Sequence, residues 1–380
     1  MRGSTAGLGD SLAAGPKANS ALLELADVFF ASAVVAPAVV TYWKSTWSLM
    51  DLYVLPGRPV GSAAACAAFG LTCGFVFCVY QTCLAQKLRR GFAYYVLSRL
   101  YTCVGGAACV GAWRGVWNLL NECTGNSART LTSTTAAAAL SLAALRTLRN
   151  ICAAPFAVAV DSPQGYFDVP TMFRTSSRET ALYILDCLFS VTVVGSLVVF
   201  VWRGSWALLD IFLYPDNLVK SCWTSLVVGY ALVVLTFAAQ APVRWAVAKL
   251  QGAPRLLLAD VYHLISFLAT VNVWRGIWGL LDIYFFPETP KLSNWFSHVI
   301  SLVLLILLNC SNSVLVRGVY IDAEEPAGDC VEFPCHYLRL FFQKERTKKR
   351  RKNLVESAAT ANARKTEEAS VPLQIPEEKV

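Results

Sequence analysis

The side chains best placed to do chemistry in this chain occur in four copies of one string. Trp43-Lys44-Ser45-Thr46-Trp47 runs on to Asp51 and Pro56, and Trp113-Arg114-Gly115-Val116-Trp117 runs on to Asn121. Trp202-Arg203-Gly204-Ser205-Trp206 leads to Asp210 and Pro215, and Trp274-Arg275-Gly276-Ile277-Trp278 to Asp282 and Pro287. Eight of the eleven tryptophans fall inside these strings. Each string closes a long apolar segment. A base and an acid in such a place either line a path for an ion or polar substrate, or bond helices together.

Helical geometry bears on that choice. The base lies three residues before the second Trp and the acid four after it, so Arg275, Trp278 and Asp282 form one column at 100° per residue, as do Arg203, Trp206 and Asp210. The two ends of a column are too far apart to pair on one helix. Each base is therefore expected to reach the acid of a neighbouring copy and close a ring of ion pairs. A guanidinium–indole contact within the column is a second expectation. Arg275 falls near the middle of its predicted span, where an unpaired Arg costs roughly 2.5–3.5 kcal/mol. Gly115, Gly204 and Gly276, with the Gly111-x3-Gly115 spacing, fit close helix approach. Symmetric packing accounts for near-identical copies, and permeation through a charged centre is the alternative.

Little other chemistry stands out. His263, His298 and His336 belong to no metalloprotease pair, nucleophile elbow or phosphate loop. Asp27, Asp186 and Asp260 recur near the starts of three spans and read as favourable charge at helix N-termini. Most of the thirteen cysteines lie in apolar segments as small packing residues. Cys330 and Cys335 are sites where palmitoylation fits, and their spacing matches no zinc motif. No enzyme, cofactor or metal is expected.

The elements that must position the four strings are membrane helices. Only 15% of residues are charged and 56% are hydrophobic, with a mean hydropathy of +0.48. A water-facing globule needs about a quarter of its residues charged. Long apolar runs without alternation exclude a barrel, leaving helices of about 20 residues. The expected fold is an all-α membrane protein with eight transmembrane helices, arranged as four tandem parallel two-helix repeats. The predicted spans are 22–54, 62–85, 92–122, 131–158, 180–213, 219–241, 256–285 and 293–316. The fourth is the weakest, because Arg146 and Arg149 interrupt it.

Three regions follow: an N-terminal tail over 1–21, the bundle over 22–321, and a basic, polar C-terminal tail over 322–380. Lys87, Arg89 and Arg90, then Arg174 and Arg178, then Arg244, Lys249 and Arg255 lie in the loops after even spans. The opposite turns hold one base each, so both termini are expected in the cytosol. Arg339, Lys344, Arg346, Lys348, Lys349, Arg350, Arg351 and Lys352 form a basic cluster just beyond the last span. Such a cluster attracts anionic lipid, at about 1 kcal/mol per residue. A membrane-bound chain of this kind is not expected to bind nucleic acid.

The four WRGxWxLLD-like strings on an eight-pass frame resemble the fuseless family. The resemblance covers roughly Leu22 to Ile321 and not the two ends. It implies a presynaptic plasma-membrane protein that clusters or localises voltage-gated calcium channels, directly or through active-zone scaffold proteins, and so supports synaptic transmission. It supplies no catalytic residues. Beside that organiser stand a transporter or channel using the Arg/Asp centre and, third, a lipid-handling protein.

Overall fold

The computed structural model describes residues 18–88 and 91–333, with side chains described from residue 22. Among the described residues there are eight long helices and no strand. They are α1 (Leu22–Tyr53), α2 (Pro59–Lys87), α3 (Phe92–Thr124) and α4 (Ala128–Ala144), then α5 (Thr180–Phe212), α6 (Leu218–Lys249), α7 (Gly252–Tyr284) and α8 (Pro290–Leu307). Six of them, all but α3 and α4, are long and apolar enough to cross a membrane. The protein is thus an all-helical, multi-pass membrane protein. Helix is already formed from Ala18, so the N-terminal tail is shorter than predicted.

The odd helices form an inner layer and the even helices cover it. Burial makes the division plain: 61% of the apolar window of α7 is buried, against 17% of that of α6. Val227, Val228, Val234 and Leu235 on α6 face outward, as lipid-facing residues should. Trp223 and Trp295, at the starts of α6 and α8, are half exposed. Trp245 is exposed near the far end of α6, with the Lys249 ammonium 3.8 Å from its ring. These positions match interfacial belts.

The closest helix pairs are α2 with α3, α4 with α5, α6 with α7, and α8 with α1. The tight-turn hairpins named by the sequence are therefore not the main packing units. Each odd helix lies against the even helix of the preceding hairpin. Small residues decide this. A Cβ on Gly115 would lie 2.2 Å from the Ala67 nitrogen, and one on Gly70 would lie 2.2 Å from the Ala112 nitrogen. Gly229 and Gly276 do the same for α6 and α7, at 2.6 Å from Val273 N and 2.8 Å from Leu226.

Two predicted spans end early. The fourth was expected to reach residue 158 and the eighth residue 316, but α4 stops at Ala144 and α8 at Leu307. Both stop in the same way. Arg146 (φ 55°) and Asn309 (φ 55°) turn left-handed, and the next amides, Thr147 and Cys310, bond back to Leu142 O (2.8 Å) and Leu305 O (2.9 Å). This is a Schellman stop, which fills carbonyls that a helix end leaves open. Short 3₁₀ turns follow, Leu148–Ile151 and Ser311–Val314.

The chain beyond these stops folds into the bundle instead of leaving it. Each segment supplies a buried carboxylate to the other's turn. Asp322 accepts from Leu148 N (2.6 Å) and Arg149 N (2.9 Å), and Asp161 accepts from Ser311 N (3.0 Å) and Asn312 N (2.8 Å). Their own amides donate to Arg146 O (2.7 Å) and Asn309 O (2.8 Å) respectively. Non-helical backbone at membrane depth survives only where protein satisfies it, and these exchanged bonds do so. The folded body consequently runs on to Phe333, past the boundary predicted at 321. Asp322, Cys330 and Val331 are fully buried. Burial pushes the Cys330 thiol up, which, with its inaccessibility, argues against palmitoylation there.

The two halves of the bundle match in one further respect. A π turn interrupts α1 at Ala31–Val35 and α5 at Ser190–Val194, at the same offset before Trp43 and Trp202. Helices α3 and α7 have none.

Candidate functional site: two tryptophan rings and a belt of paired bases

The four strings meet on the bundle axis. The first tryptophans form a closed ring: Trp43 to Trp113 (5.3 Å between centroids), Trp113 to Trp202 (5.5 Å), Trp202 to Trp274 (5.2 Å), and Trp274 to Trp43 (5.7 Å). The second tryptophans form another: Trp47 to Trp117 (5.7 Å), Trp117 to Trp206 (6.1 Å), Trp206 to Trp278 (5.7 Å), and Trp278 to Trp47 (5.8 Å). All eight contacts are edge-to-face, with interplanar angles of 71–87°. The positive edge of each indole meets the negative face of the next, a contact worth about 0.5–1.5 kcal/mol beyond its burial. The eight rings line one recess of about 160 Å³.

On one side the first ring rests on the irregular segments. The indole N–H groups of Trp43, Trp202 and Trp274 donate to the carbonyls of Val314 (3.0 Å), Ile151 (2.8 Å) and Ala154 (2.8 Å). The early stops of α4 and α8 are thus what bring acceptors to the axis.

Farther along, each base reaches into the turn of the preceding hairpin. The Arg114 Nε donates to Asp51 (2.8 Å) and its Nη2 to Ser62 Oγ (3.0 Å). The Arg275 Nε donates to Asp210 (2.8 Å), and its two Nη groups to Ser225 Oγ and Ser221 Oγ (2.7 Å each). Lys44 closes the circle on Asp282 (2.8 Å) and Asn294 Oδ1 (3.0 Å). The expected pairing between copies is what the geometry contains, with one break. Arg203 meets Asn121 Oδ1 (2.9 Å), Thr124 Oγ1 (3.0 Å), Gly125 O (2.6 Å) and Asn126 Oδ1 (2.6 Å), all neutral.

Three of the turns that receive these bases share one conformation, and copy two differs, its helix running to Thr124 with Gly125 (φ 70°, ψ −178°) as the cap. Leu55 (φ 47°), Gly125 (φ 70°), Tyr214 (φ 49°) and Phe286 (φ 48°) have a positive φ at the same offset beyond the second Trp of each copy. In copies one and four, Ser62 and Ser293 hydroxyls donate to Val54 O (2.6 Å) and Phe285 O (2.7 Å), and Ser221 donates to Leu213 O in copy three. Copy two lacks the Pro and uses Gly125, whose carbonyl then serves Arg203.

Three expectations need correction. The charged belt is not at the middle of the helices: the bases are 1–6% exposed, and the Asp51, Asp210 and Asp282 side chains they reach are 50–53% exposed at the turn end. The reason is that α7 begins earlier and Arg275 lies toward its end, so each base reaches outward. No motif base lies over an indole among the described residues, because the neighbouring turn offers each one oxygen acceptors; the cation–π contacts are at Tyr214, Trp245 and Tyr101. Asp186 and Asp260 are buried within their helices, not at N-termini. Asp186 accepts from Thr171 Oγ1 (2.7 Å), Phe173 N (3.0 Å) and Thr175 N (3.1 Å), pinning the loop before its own helix. The lipid-binding residues from Arg339 to Lys352 and Cys335 lie outside the described residues.

The broken link gives a direct expectation. Asn121→Asp would give Arg203 the carboxylate its counterparts have, and it should stabilise the bundle by about 1 kcal/mol. Thermal unfolding of the purified protein in detergent measures this, and a lower melting temperature would contradict it.

No curated protein and no solved structure matches the chain. The family model described as Fuseless matches residues 22–315, most of the chain and all four Trp strings. This chain belongs to the fuseless family.

Proposed function

We propose that this protein is a non-enzymatic membrane organiser that holds voltage-gated calcium channels, or the active-zone scaffold around them, in the presynaptic plasma membrane. The observation that carries this reading is the closed axis. Two complete tryptophan rings and a belt of bases, each held by oxygen acceptors, tie the helices into a fixed body around a recess of about 160 Å³. A fixed body suits presentation of loops and tails to partners. Family membership supports the synaptic setting, and the apolar outer faces support the membrane.

In this reading the bundle is four tandem two-helix units in parallel, an arrangement supported by a positive φ at the same offset in all four turns. Both termini are cytosolic, as the basic loops argue. The basic tail engages anionic lipid.

One observation favours the second reading, a transporter or channel. The recess on the axis is lined by eight indoles and ringed by half-exposed carboxylates, which is a place where an organic cation could dwell. The organiser reading is tested in cells expressing a voltage-gated calcium channel, by comparing channel clustering and current density with and without this protein. Denser, more clustered channels are expected. Unchanged density and distribution would overturn it.

A further inference from the structure

Away from the tryptophan rings, a second polar cluster lies where α7 meets the segment after α8. Asp260 and His263 lie three residues apart on α7, which places them on one face. Asp322 comes from the segment after α8. One ligand atom from each lies within 4.8 Å of the others. All three are buried, at 9%, 1% and 0% exposure.

The bonding of these groups is incomplete in an informative way. Both ring nitrogens of His263 and the Oδ1 of Asp260 are buried without a hydrogen-bond partner. Native proteins rarely leave such atoms orphaned, since a buried polar atom without a partner loses its hydration with nothing in return. Asp322 is different: its oxygens are held by Leu148 N and Arg149 N, which fixes its position and still leaves a lone pair on each. The cluster therefore has one anchored carboxylate, a second carboxylate, Asp260, set against it, and an imidazole whose other polar neighbour is the Cys330 backbone. Nearby charges do not forbid a cation. Arg149 is tied to Glu325 (2.8 Å), and Arg146 donates to the Asp322 backbone carbonyl (3.1 Å).

We propose that Asp260, His263 and Asp322 bind one divalent first-row transition-metal ion of the zinc class. An imidazole among the donors disfavours magnesium and calcium, which take oxygen ligands. A tetrahedral ion with bonds of about 2.0–2.1 Å needs its ligands roughly 3.3 Å apart, so Asp260 and His263 close onto the fixed Asp322 by side-chain rotation. Water completes the shell. The ion is structural: it ties α7 to the segment that carries Asp322, and so to the turn at Leu148 that supplies Ile151 O to Trp202. The sequence concealed the site because Asp322 lies far along the chain from the Asp-x-x-His pair.

The test uses the full chain purified in detergent, stripped with a chelator, then dialysed against zinc chloride. The expected result is one zinc per chain, a melting temperature raised by roughly 5–10 °C, and X-ray absorption with nitrogen and oxygen neighbours near 2.0 Å. His263→Phe should lose the zinc and the zinc-dependent rise. Should that variant fail to fold, the absorption spectrum of cobalt-loaded wild-type protein decides between nitrogen–oxygen and thiolate ligation. Zinc bound at sulfur distances near 2.3 Å, no stoichiometric zinc, or zinc stabilisation that survives in His263→Phe would overturn the proposal. In an apolar pocket that binds no metal, His263→Phe would instead stabilise the stripped protein, because it removes two orphaned nitrogens.

Discussion

Gly115→Leu is expected to abolish the folded bundle. A Cβ at position 115 would lie 2.2 Å from the Ala67 nitrogen, 2.6 Å from its Cα and 2.7 Å from the Ala63 carbonyl. These are backbone atoms, which cannot turn aside as a side chain would. Gly70 faces α3 in the same way from the other helix, so α2 and α3 touch main chain to main chain at two levels. Relief would require the helices to part by more than an ångström, dragging Arg114 away from Asp51 and Trp113 out of its ring. Overpacking usually costs about 1–3 kcal/mol, and contact between two backbones belongs at or above the top of that range. The measurement is the monodisperse fraction on size exclusion after expression, with Gly61→Ala as control, whose Cβ would meet nothing nearer than 3.6 Å. A normal monodisperse yield for Gly115→Leu would show that the crossing is looser than described.

Asp161→Ala carries the second large effect. Its buried carboxylate accepts from the Arg99 guanidinium, Ser311 N (3.0 Å), Ser311 Oγ (2.7 Å) and Asn312 N (2.8 Å). Truncation strands a charged group and two amides at once. Removing one partner of a buried ion pair costs about 3–5 kcal/mol. The loss is not local, since the turn it holds presents Val314 O to the Trp43 indole. The variant should melt well below wild type and be cleaved early by protease near residues 309–314. Asp161→Asn, which keeps two acceptor lone pairs, should lose less. Equal melting of Asp161→Ala and wild type would remove the carboxylate exchange from the account.

The ring of paired bases was legible before any coordinates because spacing alone forbids pairing within a helix and four copies imply closure. The glycines beside the first Trp were legible for a similar reason. The helix count followed from apolar runs. What stayed hidden depended on partners remote in sequence or on unusual backbone. Arg146 does not announce a left-handed stop, and Asn309, a residue type that tolerates one, has no glycine or proline beside it to reinforce the signal, so α4 and α8 read as longer than they are. Leu55, Tyr214 and Phe286 are residue types seldom found at positive φ, and the turns they make could not be read from type. The Asp161 and Asp322 exchange spans some 150 to 174 residues, beyond the reach of any local pattern. The position of the basic belt along its helices is set by the helix boundaries, which the motif alone does not carry.

The claim on which the rest depends is that the belt of bases ties helices together and conducts nothing. The direct measurement is whole-cell recording, across a range of voltages and ionic conditions, from cells that express this protein alone at the surface. The account predicts no current above that of untransfected cells, both for wild type and for Arg203→Gln with Arg275→Gln. A current carried by wild type and lost in that double variant, with surface expression intact, would contradict it and make the tryptophan-lined axis a conduit.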